Sequence, residues 1–281
     1  MALSNFPHAN PEIVLFDWHA TLANTHDGMY QALNDVVPKL AAMNLIERLV
    51  KTRDSRSVQD AKLVRSVREN GRLGTTLEQA RKISRTDIFE ILFGRDDEAK
   101  RIAHAAFDAR YASYCAKIRP NEDGIRPMLT HLKTMGVAIG ILSNRKREFM
   151  EYEVGSIDGK GWLDLFDTMV CGDDVPRRKP APDPILQAVY NLGEKPGSRC
   201  WYIGDSSADV VAAKLAGVTA VFYNGANWSA GGIDRIFPGT TRKPHRPDVV
   251  IECFDDLLRM ANFFTGPAGT DRSVPPTCNW I

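Results

Sequence analysis

Short apolar runs of strand length recur along the chain and alternate with stretches of helical spacing. The runs are Ile13–Phe16, Val137–Leu142, Thr168–Cys171, Cys200–Ile203, Val218–Phe222 and Asp248–Ile251. Helical spacing covers Ile125–Met135, Pro184–Leu192 and Ala208–Ala216, and a glycine follows each of these stretches, as is typical of a helix end. This alternation predicts an α/β fold with a doubly wound, Rossmann-like parallel sheet and helices on both faces.

The long segment between the first two runs has a different pattern. Apolar residues recur there every three to four positions over Tyr30–Leu45, Val58–Val67, Leu77–Phe93 and Glu98–Lys117. We therefore expect an α-helical domain over 25–119, inserted into a discontinuous core formed by 1–24 and 120–281. The end of the chain, 265–281, is rich in Gly, Pro, Asp and Ser, and is expected to be extended or mobile.

Composition and charge restrict the class of protein. Charged residues make up 25% of the chain and hydrophobic residues 43%, as in ordinary globular proteins. The formal net charge of +1 argues against a dedicated nucleic-acid-binding protein. No run approaches the roughly 18 apolar residues of a membrane span, and the first residues lack the features of a signal peptide. Five scattered cysteines without paired spacing favour reduced residues, so we expect a cytoplasmic chain with neither a membrane nor a nucleic acid as partner.

The predicted helical domain carries an excess of positive charge. Residues 47–119 contain 17 Lys and Arg against 11 Asp and Glu, a difference of +6. Such an excess supports an anionic, phosphorylated ligand through electrostatic steering but does not require one, since a solvated helix surface is its ordinary explanation.

Acidic residues follow two of the predicted strands, where ligand chemistry gathers in open parallel sheets. Asp17 follows Ile13–Phe16 directly, and Asp205 follows Cys200–Ile203 after one glycine. Asp17 can act as a nucleophile that forms an aspartyl-phosphate. Two carboxylates at one edge repel a phosphate ester unless a cation lies between them, and Mg²⁺ prefers such oxygen ligands. Asp209, one helical turn beyond Asp205, can hold a water of that ion or pair with Lys179.

A lysine and a serine provide groups that grip a phosphoryl anion. Lys179 precedes Pro180 in a proline-containing loop, which directs its ammonium toward the aspartate and the phosphate. Ser143, followed by Asn144, comes directly after Val137–Leu142 and can donate its hydroxyl together with nearby backbone N–H groups. Each feature also has an ordinary structural interpretation, but together they occupy four successive strand ends in order.

Four motifs carry a resemblance to a known family. They are Asp17–Leu22, Leu142–Asn144, Arg178–Asp183 and Ile203–Asp209. In this order they resemble the motif set of the haloacid dehalogenase-like (HAD) hydrolases, most of which are phosphatases, and Val170–Pro184 resembles the phosphoglycolate phosphatase-like branch. The resemblance implies a helical cap domain, a nucleophilic Asp17, and Mg²⁺ held by Asp17, the backbone carbonyl of His19 and Asp205. Ser143, Asn144 and Lys179 would bind the phosphoryl group, with Asp209 supporting the metal site.

His19 departs from the family pattern, which usually reads Asp-x-Asp-Gly-Thr and places a general acid/base aspartate there. Imidazole, with an ordinary pKa of ~6.5, can transfer protons near neutral pH. Alternatively, His19 only fills the turn and contributes its carbonyl. Phosphonoacetaldehyde hydrolases follow the nucleophile with Trp, as Trp18 does here, and use a cap lysine as a Schiff base; the candidates by location are Lys39, Lys51 and Lys62.

These observations predict a Mg²⁺-dependent phosphohydrolase that acts on a small phosphorylated metabolite. Two alternatives stay open: a hydrolase of C–P bonds, and a catalytically weakened member with a binding or regulatory role. The sequence contains no recognisable motif for the substrate, and it does not specify an oligomeric state.

Overall fold

The computed structural model describes residues 10–74, 85–114 and 118–265, without the side chains of Thr86 and of residues 263–265. The described chain divides into two compact units. One comprises Met1–Asn24 with Arg119–Ile281, and the other comprises Thr25–Ile118. No helix among the described residues is both long and apolar enough to span a membrane.

A six-stranded sheet forms the centre of the first unit, with strand order β5-β4-β1-β6-β7-β8. Its strands are β1 Ile13–Asp17, β4 Ala138–Leu142, β5 Thr168–Val170, β6 Cys200–Gly204, β7 Thr219–Tyr223 and β8 Val249–Ile251. All neighbouring strands in this sheet are parallel. The predicted α/β fold is confirmed, and every predicted strand lies within one residue of its observed bounds.

A short antiparallel ribbon lies where the chain leaves and re-enters this unit. It pairs β2, Ala23–Asn24, with β3, Arg119–Pro120. The ribbon therefore ties together the two separate segments of the first unit.

Helices cover both faces of the sheet. The helices of this unit are α5 Ile125–Thr134, α6 Arg147–Ser156, α7 Asp183–Asn191, α8 Ser207–Ala216, α9 Ala230–Ile236 and α10 Phe254–Thr265. The alternate residues Ile13 and Leu15 of β1 pack into the apolar cluster formed with α7, α8 and α9. Phe16 points to the opposite face, where its ring lies 6.1 Å from that of Phe254 in α10. Because side chains alternate along a strand, Asp17 emerges on the same face as Ile13 and Leu15.

The described part of the second unit is helical. Its α-helices are α1 His26–Val36, α2 Val58–Asn70, α3 Arg85–Phe93 and α4 Asp97–Tyr111. The predicted helix over Tyr30–Leu45 instead ends at Val36 and continues as a 3-10 turn, Val37–Lys39. Pro38 causes this change, since a proline lacks the N–H needed to continue an α-helix.

Several sequence-based expectations fall on residues that the structure does not describe. These are residues 77–84 of the predicted helix Leu77–Phe93, residues 115–117 of Glu98–Lys117, and the tail 266–281. Thr265, the first residue of the predicted tail, is instead the last residue of α10.

Candidate active site

The predicted site residues lie at the carboxyl ends of adjacent strands. Asp17 is the last residue of β1, Ser143 follows β4, and Asp205 follows β6. The strands β4 and β6 flank β1 on its two sides, with Asp17 paired to Leu142 and Phe16 paired to Ile203. Parallel pairing in this register therefore brings three separate motifs to one edge of the sheet.

Lys179 lies at the centre of this cluster. Its Nζ donates to Asp17 Oδ1 at 2.6 Å, to Asp209 Oδ1 at 2.7 Å and to the Tyr202 hydroxyl at 2.7 Å. Only 3% of the Lys179 side chain is exposed, so these partners replace water around the ammonium. Although burial opposes the charge, the carboxylates of Asp17 and Asp209 hold the pKa of Lys179 above its usual range. The lysine therefore remains a buried cation.

Three carboxylates lie close together beside this lysine. One oxygen from each of Asp17, Asp205 and Asp209 lies within 4.8 Å of the others. Burial raises the pKa of Asp17 to about 6, although Lys179 opposes the shift. Burial also raises the pKa of Asp205 well above its usual range, reinforced by the charges of Asp17 and Asp209. One ammonium does not neutralise three carboxylates, so the donor set suits an additional hard cation.

Thr21 bridges two of these carboxylates. Its hydroxyl lies 3.4 Å from Asp17 Oδ2 and 3.3 Å from Asp205 Oδ1, and the residue is fully buried. Thr21 belongs to the Asp17–Leu22 motif, but its sequence position alone does not indicate that it contacts both carboxylates.

The start of α8 fixes Asp209. Its Oδ2 accepts from the backbone N–H of Ser206 at 3.1 Å and from the Ser206 hydroxyl, which in turn caps the helix. Its Oδ1 accepts from Lys179 and, at 2.8 Å, from the Tyr202 hydroxyl. Gly204 leaves room for this arrangement, since a Cβ there would lie 2.4 Å from Asp209 Cγ. Both Asp209 oxygens are therefore held by protein donors, in agreement with the predicted pairing to Lys179.

Asn144 and Ser143 organise the backbone around Lys179. The Asn144 side chain accepts from the Lys179 backbone N–H at 3.0 Å and donates to the Lys179 carbonyl at 2.9 Å. The Ser143 hydroxyl accepts from the backbone N–H of Arg145 at 3.2 Å, and its own O–H can still donate. The Asn144 amide is therefore engaged with the backbone of Lys179. Its role in phosphate binding stays a prediction.

The turn after Asp17 has an unusual backbone. Ala20, where the family usually has glycine, adopts φ +62°, in the left-handed region that disfavours a side chain. Its N–H donates to the carbonyl of Ala23 at 2.8 Å, and Asn121 donates to its carbonyl at 3.2 Å. Within this turn, His19 Nδ1 lies 3.2 Å from Nη2 of Arg145.

Tyr202 and Arg145 are site residues that the sequence did not reveal. Tyr202 lies inside β6 among residues that read as ordinary core. Arg145 is 126 positions from His19 along the chain. No spacing pattern in the sequence indicates the partner of Tyr202 or of Arg145, because both contacts arise from tertiary structure.

Comparison with known proteins gives the family. The model of the haloacid dehalogenase-like hydrolase family matches residues 11–217. The chain belongs to the haloacid dehalogenase-like hydrolases. Phosphoglycolate phosphatase of Salmonella typhimurium is 29% identical over 163 residues, which cover 58% of this chain and 59% of that protein. N-acetylmuramic acid 6-phosphate phosphatase of Pseudomonas aeruginosa is 33% identical over 130 residues, covering 43% of this chain and 56% of the relative.

These matches leave part of each relative uncovered: the chain spans about six tenths of the curated relatives' length. Among solved structures, a Bacteroides fragilis protein described as a haloacid dehalogenase-like hydrolase has a TM-score of 0.60 and 24% identity. That alignment covers 88% of this chain and 99% of the other. It supports the fold, and the predicted likeness to the phosphoglycolate phosphatase-like branch is confirmed by the relatives.

Proposed function

We propose that the chain is a Mg²⁺-dependent phosphohydrolase that acts on a small phosphorylated metabolite through an aspartyl-phosphate on Asp17. The observation that carries this proposal is the buried contact of 2.6 Å between Lys179 Nζ and Asp17 Oδ1 at the end of β1. It pairs a nucleophile with a fixed positive charge, which a phosphoryl anion requires. Relatives named as phosphatases of phosphoglycolate and of N-acetylmuramic acid 6-phosphate support a small phosphorylated substrate.

Asp17, Lys179 and Ser143 have separate roles in the two half-reactions. A carboxylate oxygen of Asp17 attacks phosphorus, the bond from phosphorus to the ester oxygen breaks, and the released alkoxide takes up a proton. Lys179 stabilises the charge on the phosphoryl oxygens, and the Ser143 hydroxyl can donate to one of them. Water then attacks phosphorus and breaks its bond to Asp17, which regenerates the carboxylate and yields inorganic phosphate.

The donor set fits a divalent cation. Asp17 and Asp205, whose pKa values are both raised, would hold the ion together with the backbone carbonyl of His19. Bound there, Mg²⁺ supplies positive charge that screens the carboxylates from the phosphoryl group. Asp209 lies within reach but accepts from Lys179, Tyr202 and Ser206, so we assign it to positioning Lys179 rather than to binding the ion directly.

Replacement of the nucleophile tests this proposal. Asp17→Asn should abolish Mg²⁺-dependent release of phosphate from an aryl phosphate, because loss of the attacking group costs at least several powers of ten. Beryllium fluoride, a phosphoryl mimic, should bind to the wild-type protein and not to the variant. Asp234→Asn is the matched control, since Asp234 lies outside the four motifs and pairs with Arg246 on an exposed part of the surface. Retention of more than about a hundredth of wild-type turnover in Asp17→Asn would contradict the nucleophile assignment.

The C–P hydrolase alternative gains no support from the lysines that it requires. Lys39, Lys51 and Lys62 are all exposed. A Schiff-base lysine is usually activated by burial or by a neighbouring cation, so an exposed side chain is a poor candidate. The binding or regulatory alternative predicts no turnover of an aryl phosphate, and the same assay therefore distinguishes it.

A further inference from the structure

The turn after β1 has a conformation that its own residue disfavours. Ala20 adopts φ +62°, in the left-handed region, where a Cβ approaches the following carbonyl oxygen. An alanine adopts this region about 5–30-fold less readily than the right-handed one, and a glycine has no such preference. Two backbone bonds of 2.8 Å cross the turn, from the Ala20 N–H to the Ala23 carbonyl and from the Ala23 N–H to the Trp18 carbonyl. Neither bond engages the carbonyl of Ala20.

Asn121 binds this turn through both its side chain and its backbone. Its Nδ2 donates to the Ala20 carbonyl at 3.2 Å, and its backbone N–H donates to the Leu22 carbonyl at 2.9 Å. A carbonyl only accepts, so the nitrogen of the Asn121 amide must face it. Asn121 directly follows β3, which pairs with β2 just after the turn. The ribbon therefore fixes the position from which Asn121 reaches Ala20.

A second contact orients the Asn121 amide. Its Nδ2 also donates to the Tyr223 hydroxyl at 3.1 Å, and that hydroxyl donates to Glu122 Oε1 at 2.5 Å. Glu122 Oε2 accepts from the backbone N–H of Phe254 at the start of α10, at 3.1 Å. Tyr223, the last residue of β7, is buried, and its ring stacks on that of Phe254 at 4.9 Å. The direction of the amide is therefore set by β7 and α10 and not by the turn that it binds.

We propose that Asn121 is a positioning residue that holds Ala20 in the left-handed conformation and thereby places the His19 carbonyl for the cation. This inference rests on the proposed function, in which that carbonyl is a ligand. The φ angle of Ala20 sets the direction of the planar His19–Ala20 peptide relative to the rest of the turn. A turn that leaves the left-handed region therefore moves the carbonyl. Asn121 compensates for the alanine that stands where the family usually has glycine.

The size of the effect follows from the population of the competent turn. The apparent Kd of a ligand rises in inverse proportion to the fraction of protein in the binding-competent conformation. Without the Asn121 amide, the preference of Ala20 against the left-handed region is opposed only by the two backbone bonds of the turn. We therefore expect Asn121→Leu to weaken Mg²⁺ binding by about 5–30-fold. Leucine is similar in size to asparagine, and the backbone bond to Leu22 does not depend on the side chain.

Isothermal titration calorimetry with Mg²⁺ measures this affinity without any turnover. Combining Asn121→Leu with Ala20→Gly should recover most of the lost affinity, because glycine adopts the left-handed region without help. Tyr223→Phe removes one partner of the amide and should weaken binding by a smaller factor in the same direction. Asn191→Leu, which removes a bond to Thr168 at the start of β5, is the matched control and should bind Mg²⁺ like the wild-type protein.

Two outcomes of the titration would overturn the inference. One is an unchanged Mg²⁺ affinity in Asn121→Leu, and the other is a loss that Ala20→Gly does not recover, since a general structural role would not depend on residue 20. Absence of Mg²⁺ binding to the wild-type protein would instead contradict the proposed function. Hydrogen exchange of the Ala23 amide in EDTA then decides whether Asn121 holds the turn. Exchange should be faster in Asn121→Leu than in the wild-type protein, and equal rates would overturn the inference.

Discussion

Asp17 carries a stability cost that a single substitution should reveal. Its pKa is raised from 3.8 to about 6, chiefly by burial, so the folded protein binds a proton at Asp17 more tightly than the unfolded chain does. Stability therefore decreases as the pH rises through this interval. At about 1.4 kcal/mol for each pH unit, the rise in pKa corresponds to about 3 kcal/mol of unfolding free energy that is lost above pH 6. Asp17→Asn does not ionise and should escape this loss.

Urea denaturation in EDTA measures the effect. The difference in unfolding free energy between Asp17→Asn and the wild-type protein should grow by about 2.4 kcal/mol in favour of the variant between pH 4 and pH 7, because a small part of the loss occurs below pH 4. Titrating groups remote from Asp17 affect both proteins equally and cancel in the difference. Asp205 and Lys179 do not cancel, because the charge of Asp17 raises the pKa of both. Asp183→Asn is a control of opposite sign, because Arg177 holds the pKa of Asp183 below its usual range. Parallel pH profiles for Asp17→Asn and the wild-type protein would refute the reasoning.

Two further substitutions test the surroundings of Lys179 and Asp209. Tyr202→Phe removes a hydroxyl that accepts from Lys179 and donates to Asp209. Urea denaturation should show that the free energy of unfolding falls by about 1–3 kcal/mol. An unchanged denaturation midpoint would contradict the role of this contact. Gly204→Ala places a Cβ 2.4 Å from Asp209 Cγ. This variant should lower the free energy of unfolding by about 1–3 kcal/mol and abolish aryl phosphate turnover. Gly231→Ala is the control: its Cβ has no atom within 4 Å, so turnover should be intact.

The sheet and its catalytic edge follow from short-range patterns. Apolar runs such as Ile13–Phe16 mark buried strands, and their alternation with helices requires parallel pairing. Parallel pairing then brings Asp17 and Asp205 together, which is the arrangement found. The helix-ending glycines are also confirmed, since Gly136, Gly193 and Gly217 all have φ values between +72° and +79°.

Side-chain contacts between distant segments were not predictable in this way. The Asn144 side chain binds the backbone of Lys179, 35 positions later, and the sequence suggested only phosphate binding for it. In the sequence, Tyr202 looks like a core residue. The alternation of side chains along a strand predicts burial, but it does not predict which polar atom the hydroxyl contacts. Arg145 follows Ser143 and Asn144 closely, yet its partners His19 and Glu153 depend on the register of β1 with β4 and on α6.

The excess of negative charge at the carboxyl edge of the sheet links the stability of the fold to cation binding. Three carboxylates lie within 4.8 Å of one another, and Lys179 neutralises only one of their charges. A cation held by Asp17 and Asp205 stabilises the folded state alone, by about 2.7 kcal/mol at a hundredfold excess over its Kd. This gain is similar to the cost of about 3 kcal/mol that ionised Asp17 imposes in the absence of metal. We therefore expect saturating Mg²⁺ to offset the loss of stability above pH 6 in the wild-type protein, because the proposed nucleophile and the proposed cation ligand are the same buried carboxylate.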